Sequence, residues 1–156
     1  MKEFKMKLEI RAVNAHILNM STRMPFKYGI ASMTASPHLF LSADVIIDGQ
    51  PQTGIASDHL PPKWFTKNPG APFKEDVREM LDVIASAARI AEGAPPADSV
   101  FDLWAHIHAE QEIWAADKGY PPLLWGFGVS LVERAMIDAF CRAQNIPFAD
   151  ALRTNA

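Results

Sequence analysis

The spacing of apolar residues changes once along this 156-residue chain, and that change limits the folds open to it. Up to about Ser57 apolar side chains recur at every second position, the period of a strand with one buried face. From Phe73 they recur every third or fourth position, the period of a helix with one buried stripe. Phe4, Met6, Leu8, Ile10 and Ala12 alternate with Lys5, Lys7, Glu9 and Arg11. The alternation then slips by one, because Val13, Ala15 and Ile17 are apolar while Asn14 and His16 are not. Either a bulge near Ala12–Val13 or a switch of faces accounts for the slip. A second strand runs through PHLFLSADVIID, with Leu39, Leu41, Ala43, Val45 and Ile47 on one side. DGQPQ then turns the chain back into a short third strand, TGIAS.

Three helices follow. Phe73, Val77, Met80, Leu81, Ile84, Ala88 and Ala91 form the stripe of the first, and Glu75 and Asp76 sit in its first turn, where the helix dipole favours them. Gly93 and the Pro95–Pro96 pair stop it. The second opens at Ser99 with Asp102 three residues on, presents Val100, Trp104, Ile107, Gln111 and Trp114, and ends near Gly119. The third runs from about Leu124 to Asn145, and Pro147 opens a short final turn, PFADALR. Strands first and helices after predict an α+β domain: a three-stranded antiparallel meander followed by a three-helix bundle. A chain of this length can bury a sizeable core as one domain.

Two connections are too apolar for free loops. MPFKYGIASMT (24–34) carries Phe26, Tyr28, Ile30 and Met33 beside Lys27 and Gly29. DHLPPKWFTKNPGAP (58–72) carries Leu60, Trp64 and Phe65, although four prolines and a glycine interrupt regular structure there. Apolar side chains gain nothing from water, so both segments are expected to cover something.

Several function classes are excluded or left without support. The formal charge is −3 and no stripe of Lys or Arg forms, which argues against nucleic-acid binding. The N-terminus alternates charge with apolar residues and is neither a signal peptide nor a membrane span. Cys141 is the one cysteine, so no internal disulfide forms and a reducing cytoplasm is expected. His106, His108 and Glu110 invite a metal reading, but helical positions two apart point to nearly opposite sides, and His106 with Glu110 makes too few ligands. Cys141, among Ile137, Ala139 and Phe140, reads as a small buried hydrophobe. Ser57 lacks a Gly-x-Ser-x-Gly setting, and Ser57, Asp58 and His59 are consecutive residues that cannot aim at one reacting atom. Glu133 and Asp138 are five apart on one helix and poorly aligned for joint acid–base work. Gly126 and Gly128 flank Phe127 without phosphate-loop spacing and read as places of close backbone packing. No catalytic constellation closes within the chain.

LVERAMIDAFCRAQNIPFADALR (131–153) resembles the end of the N-terminal capping domain of the enolase superfamily, in the mandelate racemase and muconate-lactonizing group. That group shows a helix reading Ala-Leu-Trp-Asp-Leu-x-Gly-Lys-Ala, then Gly-Leu-Pro, then a leucine pair. Ala135, Met136, Ile137, Asp138, Ala139, Cys141, Arg142 and Ala143 occupy the helix positions, Asn145-Ile146-Pro147 the Gly-Leu-Pro, and Ala151-Leu152 the leucine pair. MPFKYGIASMT resembles the group's first-loop pattern, and LFLSADVIIDGQPQTGIAS its second strand, turn and third strand. The third strand departs from the group's Gly-Trp-Gly-Glu-Ala, reading Gly54-Ile55-Ala56-Ser57-Asp58 without the glutamate.

The resemblance implies that residues 1–156 form one capping domain and that the catalytic (β/α)₈-type barrel is absent from this chain. Mg²⁺ ligands and Lys or His acid–base groups belong to that barrel, so the chain is expected to hold no catalytic residue, metal or cofactor of its own. The parent would catalyse Mg²⁺-assisted α-proton abstraction from a small carboxylate as a racemase, dehydratase or cycloisomerase, and the chain alone would be inactive. The cap contributes two loops that shape the substrate pocket, which makes Phe26, Lys27, Tyr28, Ile30, Met33, His59, Lys63 and Trp64 the implied substrate contacts; packing on their own strands is the alternative for Phe26 and Met33. The expected partners are the barrel, the carboxylate and further copies of the chain, with no nucleic acid or membrane. Segment 26–33 is expected to be mobile or held by a neighbour. The alternative is a stand-alone, non-catalytic binding or assembly module of the same α+β fold.

Overall fold

The computed structural model describes residues 6–154. Five strands, β1 (Leu8–Leu18), β2 (Ser21–Tyr28), β3 (Ala31–Ala35), β4 (His38–Ile47) and β5 (Gln50–His59), precede four helices, α1 (Phe73–Gly93), α2 (Val100–Lys118), α3 (Pro122–Gln144) and α4 (Phe148–Thr154). The expected three-stranded antiparallel sheet is present, in the order β1-β4-β5. The segment read as the first apolar connection is itself a ribbon, β2 paired with β3.

An extra residue in β1 explains the slip in its alternation. Ile10 pairs with Val45 and Ala12 with Asp44, so Arg11 is the bulged residue. The bulge returns Val13, Ala15 and Ile17 to the face that carries Leu8 and Ile10, so the strand keeps one inner face. Phe4, placed by its alternation at the start of this strand, lies outside the described residues. In β4 the alternation is strict, with Leu39, Leu41, Ala43, Val45 and Ile47 all buried and their neighbours less so. Asp48 and Gly49 form the turn to β5 with φ of 50° and 80°, the two positive values that a type I′ hairpin needs. β5 is longer than the TGIAS expected, because its polar first half still pairs with β4 as far back as Gln50↔Ile47.

α1 and α3 lie on the inner face of this sheet, α2 packs against both of them, and α4 packs against α3. Ser99 caps α2 by accepting the Asp102 amide at 3.0 Å, and Gly119 ends that helix in the left-handed region. Two glycines let α3 approach its neighbours closely. A Cβ on Gly54 would lie 1.9 Å from the Ala135 carbonyl oxygen, and one on Gly128 would lie 2.3 Å from the Val83 carbonyl oxygen. Close packing thus accounts for Gly128 but not for Gly126, where a Cβ meets nothing within 4 Å.

α3 also seals the free edge of β5. The Ile55 amide donates to Asp138 Oδ2 at 2.9 Å, and Arg134 Nη1 donates to the Ser57 carbonyl at 3.1 Å. Gln111, on the predicted face of α2, is fully buried and donates to the Val83 carbonyl at 2.9 Å. His108 sits between Trp104 and Trp125, tilted to the first and edge-on to the second, with centroids 5.1 and 4.9 Å away. Among the described residues no helix is long and apolar enough to cross a membrane.

Gly54 yields the first test. Gly54→Val is expected to lower stability by about 3 kcal/mol, because a side chain there must push α3 off the sheet. Urea denaturation of the two proteins measures the difference, and a loss below about 1 kcal/mol would contradict the close approach.

Candidate functional site

The ribbon β2–β3 turns on two residues. Tyr28 pairs with Ala31, leaving Gly29 and Ile30 between them, and Gly29 has φ of 51° while Ile30 has no positive φ. A glycine in this first central position is the signature of a type II′ hairpin. Phe26 pairs with Met33 and Lys27 with Ser32. Strand alternation therefore sends Phe26, Tyr28, Ala31 and Met33 to one face and Lys27 and Ser32 to the other. The pairing is irregular between Ser21 and Phe26, where Pro25 can donate no ladder hydrogen bond.

The apolar face leans on the second connection. The Tyr28 hydroxyl donates to the Pro62 carbonyl, and the Tyr28 ring meets Trp64 edge-on with centroids 5.8 Å apart. That connection is anchored at several points. Leu60 is fully buried. The Lys63 ammonium sits 3.1 Å from Asp76 Oδ2 on α1, its amide donates to the same oxygen at 3.3 Å, and its Nζ also donates to the Ala71 carbonyl. Thr66 Oγ1 donates to Glu79 Oε2 at 3.0 Å. Asp76, expected at the helix N-terminus for its dipole, is thus a buried partner for the loop.

Between ribbon, loop and α3 lies a cleft of about 680 Å³. Phe26, Tyr28 and Met33 form one wall, and Pro61, Trp64 and Phe65 a second, with Asp58 and His59 at the end of β5. The first turns of α3 form a third, through Pro122, Leu123, Gly126, Phe127 and Ser130. Phe65 and Phe127 stack across the floor with centroids 4.9 Å apart. No Lys or Arg is among these lining residues, and Arg134 pairs with Asp58 at 3.1 Å from outside them. The ionisable side chains that line it are Asp58, His59 and the Tyr28 phenol.

Five of the eight residues singled out from the sequence, Phe26, Tyr28, Met33, His59 and Trp64, line this one cleft. Lys27 lies on the ribbon's other face, Ile30 sits exposed at its tip, and Lys63 is taken up by Asp76 and Ala71. The α3 wall was not anticipated, although Leu123, Gly126, Phe127 and Ser130 follow the spacing i, i+3, i+4, i+7 of one helix face. Ser57 and Asp58 point to opposite faces of β5, as alternation requires. A second groove, about 770 Å³, runs along α3 toward α4, but its Arg134 and Arg142 are already paired with Asp58 and Asp138. Cys141, at its floor, is buried, and burial with the Asp138 charge pushes its thiol pKa up.

The chain has two tyrosines, and both are shifted the same way. Burial, then the nearby Asp76 charge, raises Tyr28 above its ordinary value. Burial and the hydrogen bond to Asp82 push Tyr120 up to about 12. A phenol whose folded pKa lies above its unfolded value of about 10 contributes stability that is intact below pH 10 and is lost as pH rises through the folded pKa. Phenolate absorbance is therefore expected to develop above pH 10, with the latter half near pH 12, and stability to fall over the same window. Tyr28→Phe should remove one of the two components and loosen the ribbon at every pH, seen as faster amide exchange in 26–33. A titration with both phenols at pH 10 would contradict the burial of either.

No protein-family model and no curated protein sequence matches the chain. Solved structures do match in fold. An enolase from alpha proteobacterium BAL199, solved with bound Mg, superposes with a TM-score of 0.63 at 19% identity over 93% of this chain. An enolase from Bradyrhizobium, solved with magnesium and mandelic acid, gives 0.61 at 16% over 94%. A mandelate racemase/muconate lactonizing enzyme-like protein from Rubrobacter xylanophilus gives 0.60 at 21% over 92%. The chain spans about a third of each of those structures, 34%, 35% and 33%. Its α+β architecture is that of the enolase N-terminal domain.

Proposed function

We propose that this chain is the capping domain of an enzyme of the mandelate racemase/muconate-lactonizing group, and that its cleft is the part of a substrate pocket that the cap supplies. The observation that carries this reading is the cleft itself: two segments too apolar for free loops turn toward each other and toward α3 around one ring-lined space. The fold and its extent, about a third of larger enolase-type structures, support a cap that works with a further domain.

Abstraction of a proton beside a carboxylate concentrates negative charge on an enediolate-like intermediate. Fixed dipoles and charges stabilise it best where water is excluded. Phe26, Tyr28, Met33 and Trp64 serve that exclusion. His59, exposed at the end of β5, offers the cleft a donor or acceptor for recognition. Lys27 and Ile30, on the outer face and tip of the ribbon, meet a covering domain rather than the cleft. Mg²⁺ supplies charge stabilisation to such chemistry when bound. Among the described residues no group of three or more His, Cys, Asp or Glu is arranged to hold a metal ion.

The test is α-proton exchange in D₂O, followed by NMR with Mg²⁺ and a panel of 2-substituted carboxylic acids. The chain alone is expected to exchange none, and exchange by it would overturn the proposal. The reading frame beyond Ala156 is expected to encode a barrel with Asp or Glu at successive strand ends; a stop codon there would favour the stand-alone binding module. In a protein carrying both parts, Trp64→Ala should lower kcat/KM by about 10- to 100-fold, through a misplaced and wetter substrate.

A further inference from the structure

We propose that the cleft takes the uncharged aromatic ring of a small ligand and that Gly126 sets the room for it, an inference that rests on reading the cleft as a substrate pocket. A glycine inside a helix is unfavourable relative to alanine, because it frees the unfolded backbone and buries nothing. Such a residue needs a reason. Gly54 and Gly128 have one, since a Cβ at either would strike backbone atoms of a neighbouring element. Gly126 has neither a close neighbour nor a positive φ: nothing lies within 4 Å of a Cβ built there. Yet Gly126 lines the cleft, between Leu123 and Phe127 on one side and Ser130 on the next turn. A side chain at this position would enter the cleft and touch little else. The fold itself therefore gains nothing from the glycine, whereas an occupant of the cleft gains the space.

The chemistry of the walls identifies the occupant. Aromatic rings from ribbon, loop and helix, Phe26, Tyr28, Trp64, Phe65 and Phe127, surround the space. Its volume of about 680 Å³ is of small-molecule size. Rings so placed favour a partner ring, by stacking or edge contact. Charge is not provided for. No Lys or Arg lines the cleft, and Asp58, the one carboxylate, is already paired with Arg134 at 3.1 Å. His59 is the one lining side chain that could meet an anion, so a carboxylate, a second acid group or a polyol would give up more water here than this imidazole replaces. The ring enters the cleft, and any acid group of the same molecule stays outside it.

The experiment titrates the 156-residue protein with benzyl alcohol, phenylacetate and malonate while the Trp64 indole N–H is followed by NMR. Benzyl alcohol is expected to shift that signal with a Kd on the order of 1 mM, phenylacetate to bind no tighter, and malonate not to bind. Gly126→Leu should weaken benzyl alcohol at least about tenfold while Tm stays level or rises, since leucine is the better helix former. Gly126→Ala should raise Tm by a few degrees and weaken binding less. A structural glycine would behave in the opposite way, with Tm falling in both variants. That fall, unchanged affinity in Gly126→Leu, or malonate binding as tightly as benzyl alcohol would each overturn the proposal. Ring binding without proton exchange in the barrel-bearing protein would defeat the catalytic reading alone, and exchange without ring binding would defeat this one alone.

Discussion

The approach of α3 to β5 at Gly54 is the constraint on which the rest of the molecule depends. A glycine is required there because the helix backbone at Ala135 and Ala139 occupies the space a Cβ would take. At that separation the α3 side chains reach past the sheet surface to its edge. Asp138 accepts the Ile55 amide, and Arg134 spans the Ser57 carbonyl and the Asp58 carboxylate. An edge strand's unpaired backbone groups are normally a liability, open to pairing with other chains. Here they fix the strand's exit instead, and with it the positions of Asp58 and His59. The same closeness brings the first turns of α3 beside the loop, so that Phe127 stacks on Phe65. One tight contact in the core thus sets the geometry of a cleft at its rim.

Much of this was legible in the sequence, and the parts that were not share a cause. Periods of two and of three to four residues marked the sheet, the helices and their caps, because those patterns follow from local geometry alone. The slip after Ala12 showed that something interrupted β1, but only pairing with β4 shows Arg11 to be the extra residue. The ribbon was harder, since Pro25 breaks its alternation and its turn, Gly29–Ile30, lacks the Asn-Gly or Asp-Gly that announces a hairpin. The excess of apolar residues in both connections marked two segments that turn toward one cleft. Which residues face inward was not readable where long-range partners decide it. Lys63 looks like a free cation in sequence and is an ion pair in the fold, because Asp76 arrives beside it on a helix that begins ten residues later. The Leu123–Ser130 face carries the helical spacing in plain view, but nothing in the sequence says that a ribbon and a loop from elsewhere in the chain stand opposite it.

The two long walls of the cleft are held by very different means. The loop carries Lys63 in the left-handed region at φ of 55°, a conformation that costs a non-glycine residue about 1–2 kcal/mol. It is retained because the ammonium and the amide of that residue both reach Asp76, with the Ala71 carbonyl closing the set. Leaving one member of a buried pair alone costs about 3–5 kcal/mol, so this wall resists displacement. The ribbon has less to lose. Phe26, Met24 and Ile30 are largely exposed, and its tie to the loop is the Tyr28 hydroxyl and the edge of the Trp64 ring. A neutral hydrogen bond contributes about 1 kcal/mol net and an aromatic edge contact about as much. Opening the cleft on the ribbon side therefore costs less than opening it on the loop side. The wall with few ties is also the one whose face carries Phe26, Tyr28 and Met33, so the surfaces best suited to close over a ring sit on the segment most free to do it. Phe26, exposed on the cleft face of that ribbon, gains burial when something fills the space beneath it, and this links the stability of the closed form to the presence of an occupant.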